Sequence, residues 1–211
     1  MHVDSSIELG RDDPALEFPW ASEDGNFHYK DLKNNPALID EIPEAVNYAE
    51  LRDFLLRVNT PEFPLQTAKA DIWTSDEIHP EEEIFAARQK LVSYVDLIFS
   101  AHGPRLSLES HLELVRKLCT LLQRAPEMAA SIEFVTRRCY YHDFDCPAPD
   151  QCMRPEPMPD SCCGFCITIY VSGFGDTEQE ARQRWSIALQ LLKHALVQVA
   201  RSNGLADNGG G

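Results

Sequence analysis

With 211 residues, 44% of them apolar and 25% charged, the chain has the make-up of an ordinary globular protein, long enough for one sizeable core. Its formal net charge of -15 repels phosphate backbones, and no basic stripe interleaved with aromatics offsets that repulsion, which argues against direct nucleic-acid binding. No apolar run is long enough to cross a bilayer, and the first residues lack a basic start followed by an apolar stretch, so a cytoplasmic protein away from membranes is expected.

Residues 1–43 read as an irregular acidic arm. Pro and Asx-Gly punctuation in DDPALEFPW, SEDGN, NNPAL and EIPEA recurs faster than a helix runs. Eleven Asp or Glu against three Lys or Arg over residues 1–45 suit solubility or a positively charged partner. Phe18, Trp20, Phe27 and Tyr29 are too many large apolar groups for a free tail, so they are expected to pin the arm across the domain.

A single α+β domain is expected over residues 44–203. In PEAVNYAELRDFLLRVN, Ala45, Tyr48, Leu51, Leu55 and Val58 fall near helical spacing, with Pro43 suited to the first turn. FPLQTAKADIWTSDE reads as a half-exposed strand, because Ala68, Ala70 and Ile72 alternate with Lys69, Asp71 and Trp73. The run from Pro80 to Ala101 reads as a long helix, with glutamates in its first turn and a stripe of Ile84, Leu91, Val95, Ile98 and Phe99. Ser107 caps another, with Leu108, Leu112, Val115, Leu118, Cys119 and Leu122 inward.

SIEFVTRRCYYH and FCITIYVSGF read as antiparallel strands, and the last helix opens on Thr177 and Glu180 as a capping box. Its inner face is Ala181, Trp185, Ala188, Leu189, Leu192, Ala195, Leu196 and Val199; residues 204–211 read as a disordered tail. These elements predict a small, mostly antiparallel sheet packed against several amphipathic helices. The two stretches beginning at Ile72 and Ile169 both run from strand through Ser into an acidic-capped helix, a weak internal echo.

Residues 143–164 read as a Cys/Pro-rich loop between the last two strands. Five prolines and five cysteines lie between Cys146 and Cys166, and a segment so stiff and so poor in apolar anchors needs something to hold it. Cytosolic thiols stay reduced, and closely spaced cysteines joined to others from a second segment are how structural zinc sites are built. The expected metal ligands are Cys146, Cys152, Cys163 and Cys166, with His142, Cys139 and Cys162 as substitutes and zinc as the ion; disulfides, a redox dithiol or simple burial are the alternatives. The five residues between Cys146 and Cys152 exceed usual zinc spacing, and the surrounding aspartates oppose a low thiol pKa.

SGFGDTEQEA superficially resembles a phosphate-binding turn, but Asp176, Glu178 and Glu180 stand where an anion would sit. No catalytic motif occurs. The functional expectation is a non-catalytic binding or regulatory protein with a protein partner and a metal-ordered loop. The alternatives are an enzyme or thiol-redox protein centred on that loop, and an acidic inhibitor of a basic target.

Overall fold

The computed structural model describes residues 1–22, 24–142 and 162–207. An open mixed sheet of six strands organises them: β1 (His2–Glu8), β2 (Leu16–Phe18), β3 (Leu65–Ser75), β4 (Gln89–Phe99), β5 (Ala130–Tyr141) and β6 (Cys162–Gly175). The spatial order is β1-β5-β6-β4-β3, with β2 on β5 past the end of β1. The pairs β3/β4, β4/β6 and β5/β6 are antiparallel, whereas β1 and β2 run parallel to β5. The helices are α1 (Pro43–Asn47), α2 (Ala49–Val58), α3 (His102–Arg105), α4 (Leu108–Leu122) and α5 (Glu178–Asp207). Short 3-10 turns occupy Pro36–Glu41 and Pro80–Phe85. The α+β architecture read from the sequence is the one observed.

Helices α2, α4 and α5 bury their apolar stripes on one face of the sheet, the inner face, in a single cluster with Leu91, Val95, Leu97, Ile132, Phe134, Ile167, Ile169 and Val171. All eight expected inward residues of α5 are buried, and each Leu or Val so placed contributes about 1.5–3 kcal/mol before entropy is counted. Trp185 anchors this contact, donating from Nε1 to Ser93 Oγ at 2.8 Å. The helix expected over 43–59 breaks at Tyr48, whose extended backbone separates α1 from α2 and brings its ring edge-on to Trp185 at 5.8 Å. Ser107 caps α4 as expected, accepting from the Ser110 amide. At the start of α5, Thr177 Oγ1 accepts from the Glu180 amide, and the Glu180 carboxylate accepts from the Asp176 amide.

The long helix expected from Pro80 is instead a 3-10 turn followed by β4. Ala86 adopts a left-handed backbone (φ 48°) that ends the turn. The reason lies in position: β4 sits between β3 and β6 and is covered on both faces, so it reads as a near-continuous apolar run. Such a run contains a helical stripe by default, and the period does not discriminate. The internal echo disappears with this correction, since one copy is a hairpin and the other a strand followed by a helix. The arm is also less irregular than expected. Its first eighteen residues lay two parallel strands end to end along the edge of β5, and Phe18 is buried and packed edge-on against Tyr29 at 4.7 Å. Phe27, by contrast, is exposed and pins nothing. At the other margin of the chain, α5 continues through Gly204, where the sequence places its end.

Candidate functional site

The outer face of the sheet carries none of α2, α4 or α5. At one end it is covered by the arm around Phe18 and by α3; at the other, Phe85 from the 3-10 turn stacks on Phe174 at 4.3 Å. Between these covers lies a polar strip to which four strands contribute. Strand alternation sends Tyr94 and Asp96 of β4, Thr168 and Tyr170 of β6 and Arg137 of β5 outward while their neighbours enter the core. From β3, Lys69 joins them through a bulge. The register skips Ala68 between Thr67 and Lys69, which sets Lys69 directly opposite Asp96. Side chains hold that bulge: Trp20 Nε1 donates to Ala68 O at 2.7 Å, and Asn59 Oδ1 accepts from the Thr67 amide at 3.1 Å. Ala68, expected to share a face with Ala70 and Ile72, packs with the outer cluster instead.

These residues line a cavity of about 290 Å³, walled on one side by Pro14, Ala15 and Leu16 of the arm. Asp96 is only 6% exposed, and its Oδ1 accepts from Thr168 Oγ1 at 2.5 Å, the one hydrogen bond to this carboxyl among the described residues. Burial pushes its pKa up to about 6, although the Thr168 hydrogen bond and the charges of Arg137 and Lys69 pull the other way. Arg137 donates from Nε to Glu8 at 2.8 Å and from Nη1 to Thr168 Oγ1 at 3.4 Å and Tyr170 OH at 3.3 Å. Burial alone would lower its pKa, but the hydrogen bonds to Tyr170 and Glu8 more than offset that, so the guanidinium stays charged. Burial, reinforced by the nearby charges of Asp96 and Asp71, raises the Tyr94 pKa, so that phenol stays protonated.

The cysteines lie beside this cavity. Cys139, Cys162 and Cys166 are all fully buried in the outer cluster with Phe18, Ile98 and Tyr141. Arg138, rather than His142, stands opposite Phe165. That differs from the sequence-based register by four residues, an even number, so Cys139 and Cys166 share a face either way. Contact with the Cys139 thiol, together with burial, raises the Cys166 pKa well above the ordinary value. Cys163 is three residues from Cys166 on the same strand, so the two point to opposite faces, and Cys163 is part-exposed. His142 directly follows β5 and pairs through Nε2 with Glu17 at 2.5 Å. Cys146 and Cys152 lie outside the described residues. Among the described residues no three of His, Cys, Asp and Glu converge as a metal-ligand set.

Thus the structure brings Cys139, Cys162 and Cys166 together and separates Cys163 from them. It also adds Lys69, Asp96, Arg137, Thr168 and Tyr170, which the sequence reading did not single out. One signal for them existed: Asp96 is the only carboxylate in the apolar run LVSYVDLIF. No family model, curated protein or solved structure matches the chain.

Proposed function

We propose that this protein works by binding a small polar molecule in the outer-face cavity, with Asp96 as its central contact. The observation that carries the reading is a carboxyl group buried in an interior strand of the sheet, with only Thr168 hydrogen-bonded to it among the described residues, at the wall of a cavity. Burying such a group costs stability unless it is fully paired, and an apolar residue would serve the fold better. Residues that oppose stability and have displaced pKa values concentrate where chemistry or recognition happens. The flanking donors and phenol rings supply the few convergent polar groups on an apolar wall that ligand sites use. Cys166 also lines the cavity, but its raised pKa keeps it a thiol at neutral pH, which favours binding over nucleophilic or redox work there.

Fragment mapping tests this. Small hydroxy acids, amino acids, sugars and nucleobases are added to isotope-labelled protein while backbone and side-chain resonances are followed. Shifts centred on Asp96, Thr168 and Tyr170, abolished by Asp96→Asn, are expected. Shifts that centre elsewhere, or persist unchanged in Asp96→Asn, would sink the reading.

A further inference from the structure

We infer that the ligand of this cavity is a small carboxylate, held by Lys69 and Arg137; the inference rests on the binding reading above. The walls are richer in donors than in acceptors. Lys69 Nζ makes no ion pair among the described residues, and its company is the ring faces of Trp20 at 5.1 Å and Tyr94 at 6.0 Å. Arg137 spends Nε on Glu8, but Nη1 goes to two hydroxyl oxygens and Nη2 has no hydrogen bond among the described residues. Accepting from Arg137 leaves the Tyr170 hydroxyl proton to point elsewhere, and Thr168 gives its own proton to Asp96.

Cations that lack a full set of acceptors stand out in a chain of net charge -15, where carboxylates are the common partner. A ligand carboxylate is the complement of a guanidinium edge with an ammonium beside it. The other charged groups are Asp96 within the cavity, Glu8 on Arg137, and Asp71 and Glu44 beside Tyr94; an anion beside Asp96 favours the protonated form of that carboxyl, which then donates to the ligand while still accepting from Thr168.

Calorimetric titration of the full chain with benzoate, benzamide and benzamidine decides the matter, since the three share a shape and carry one negative, no and one positive charge. Benzoate is expected to bind at least about tenfold more tightly than either benzamide or benzamidine. In Lys69→Met, which keeps an unbranched stem over Trp20, benzoate is expected to weaken at least about tenfold while benzamide is unchanged. Benzamide or benzamidine binding as tightly as benzoate overturns the carboxylate and leaves the cavity as a binding site. Silence from all three overturns the inference too, and the binding reading falls with it only if fragment mapping also leaves Asp96, Thr168 and Tyr170 unshifted.

Discussion

The backbone of Trp185 lies directly on Gly173: a Cβ added at residue 173 would stand 2.2 Å from the Trp185 amide nitrogen and 2.2 Å from Ala181 O. Glycine therefore sets how closely α5 approaches β6, and with it the depth at which Trp185 enters the core to reach Ser93. Neither neighbour is a flexible side chain that could swing away. Gly173→Ala is expected to cost at least the 1–3 kcal/mol of ordinary overpacking, roughly the upper end or beyond, because two backbone segments must part. Urea denaturation followed by Trp fluorescence measures it; a loss below about 0.5 kcal/mol would mean that the helix rides more loosely on the sheet than this contact implies.

The same closeness shows what a sequence exposes and what it hides. The stripe of α5 was legible because a helix covered on one side writes its period plainly, and β5 and β6 were legible through their β-branched and aromatic content. Strand β4 was not, since burial on both faces erases the alternation that marks a strand. Strands β1 and β2 were hidden for the opposite reason: HVDSSIE and LEF are short and polar, and only pairing with β5, some 120 residues away in sequence, makes them strands. The cavity residues come from four strands and depend on a bulge at Ala68, so no local pattern unites them. Asp96 alone left a trace, as a charge inside an apolar run.

Among the described residues three cysteines are fully buried and the other two, Cys119 and Cys163, are part-exposed. Burial also raises the Cys119 thiol pKa, which slows its reaction. Iodoacetamide under native conditions is therefore expected to modify Cys163 ahead of Cys119, and Cys139, Cys162 and Cys166 only as the chain opens. Peptide mass spectrometry over a time course reads the order. Cys166 reacting as fast as Cys163 would mean that the start of β6 separates from β5 readily and would undo the buried outer cluster.

Arg137 and Glu8 tie β1 to the rim of the cavity through a 2.8 Å ion pair whose side chains are 17% and 36% exposed. Solvent screens a pair this open, so Glu8→Gln is expected to cost no more than about 1 kcal/mol, with less effect still at high salt. The amide keeps an acceptor for Arg137 Nε. Thermal denaturation at low and high salt checks this, and a loss of several kcal/mol would show that the edge strand depends on the charge itself.

Asp96 should set a measurable pH dependence. Its folded-state pKa is about 6 against an ordinary 3.8, so the folded protein holds this proton more tightly than the unfolded chain does. The contribution to stability is therefore fully present below about pH 4, is lost as pH rises toward 6, and is flat above that; its size is about 3 kcal/mol. Asp96→Asn removes the charge but keeps an oxygen to accept from Thr168. The variant is thus expected to be more stable than the parent at pH 8 and nearly equal to it at pH 4, so the difference between the two chains isolates this group from other titrating carboxyls. Urea midpoints for both chains at the two pH values measure it. A variant less stable than the parent at pH 8 would mean that the ionised carboxylate supports the fold, and the case for Asp96 as a residue kept at a cost in stability would be lost. A gain in stability together with loss of fragment shifts at Thr168 and Tyr170 is the combination that a binding site built on a buried acid requires.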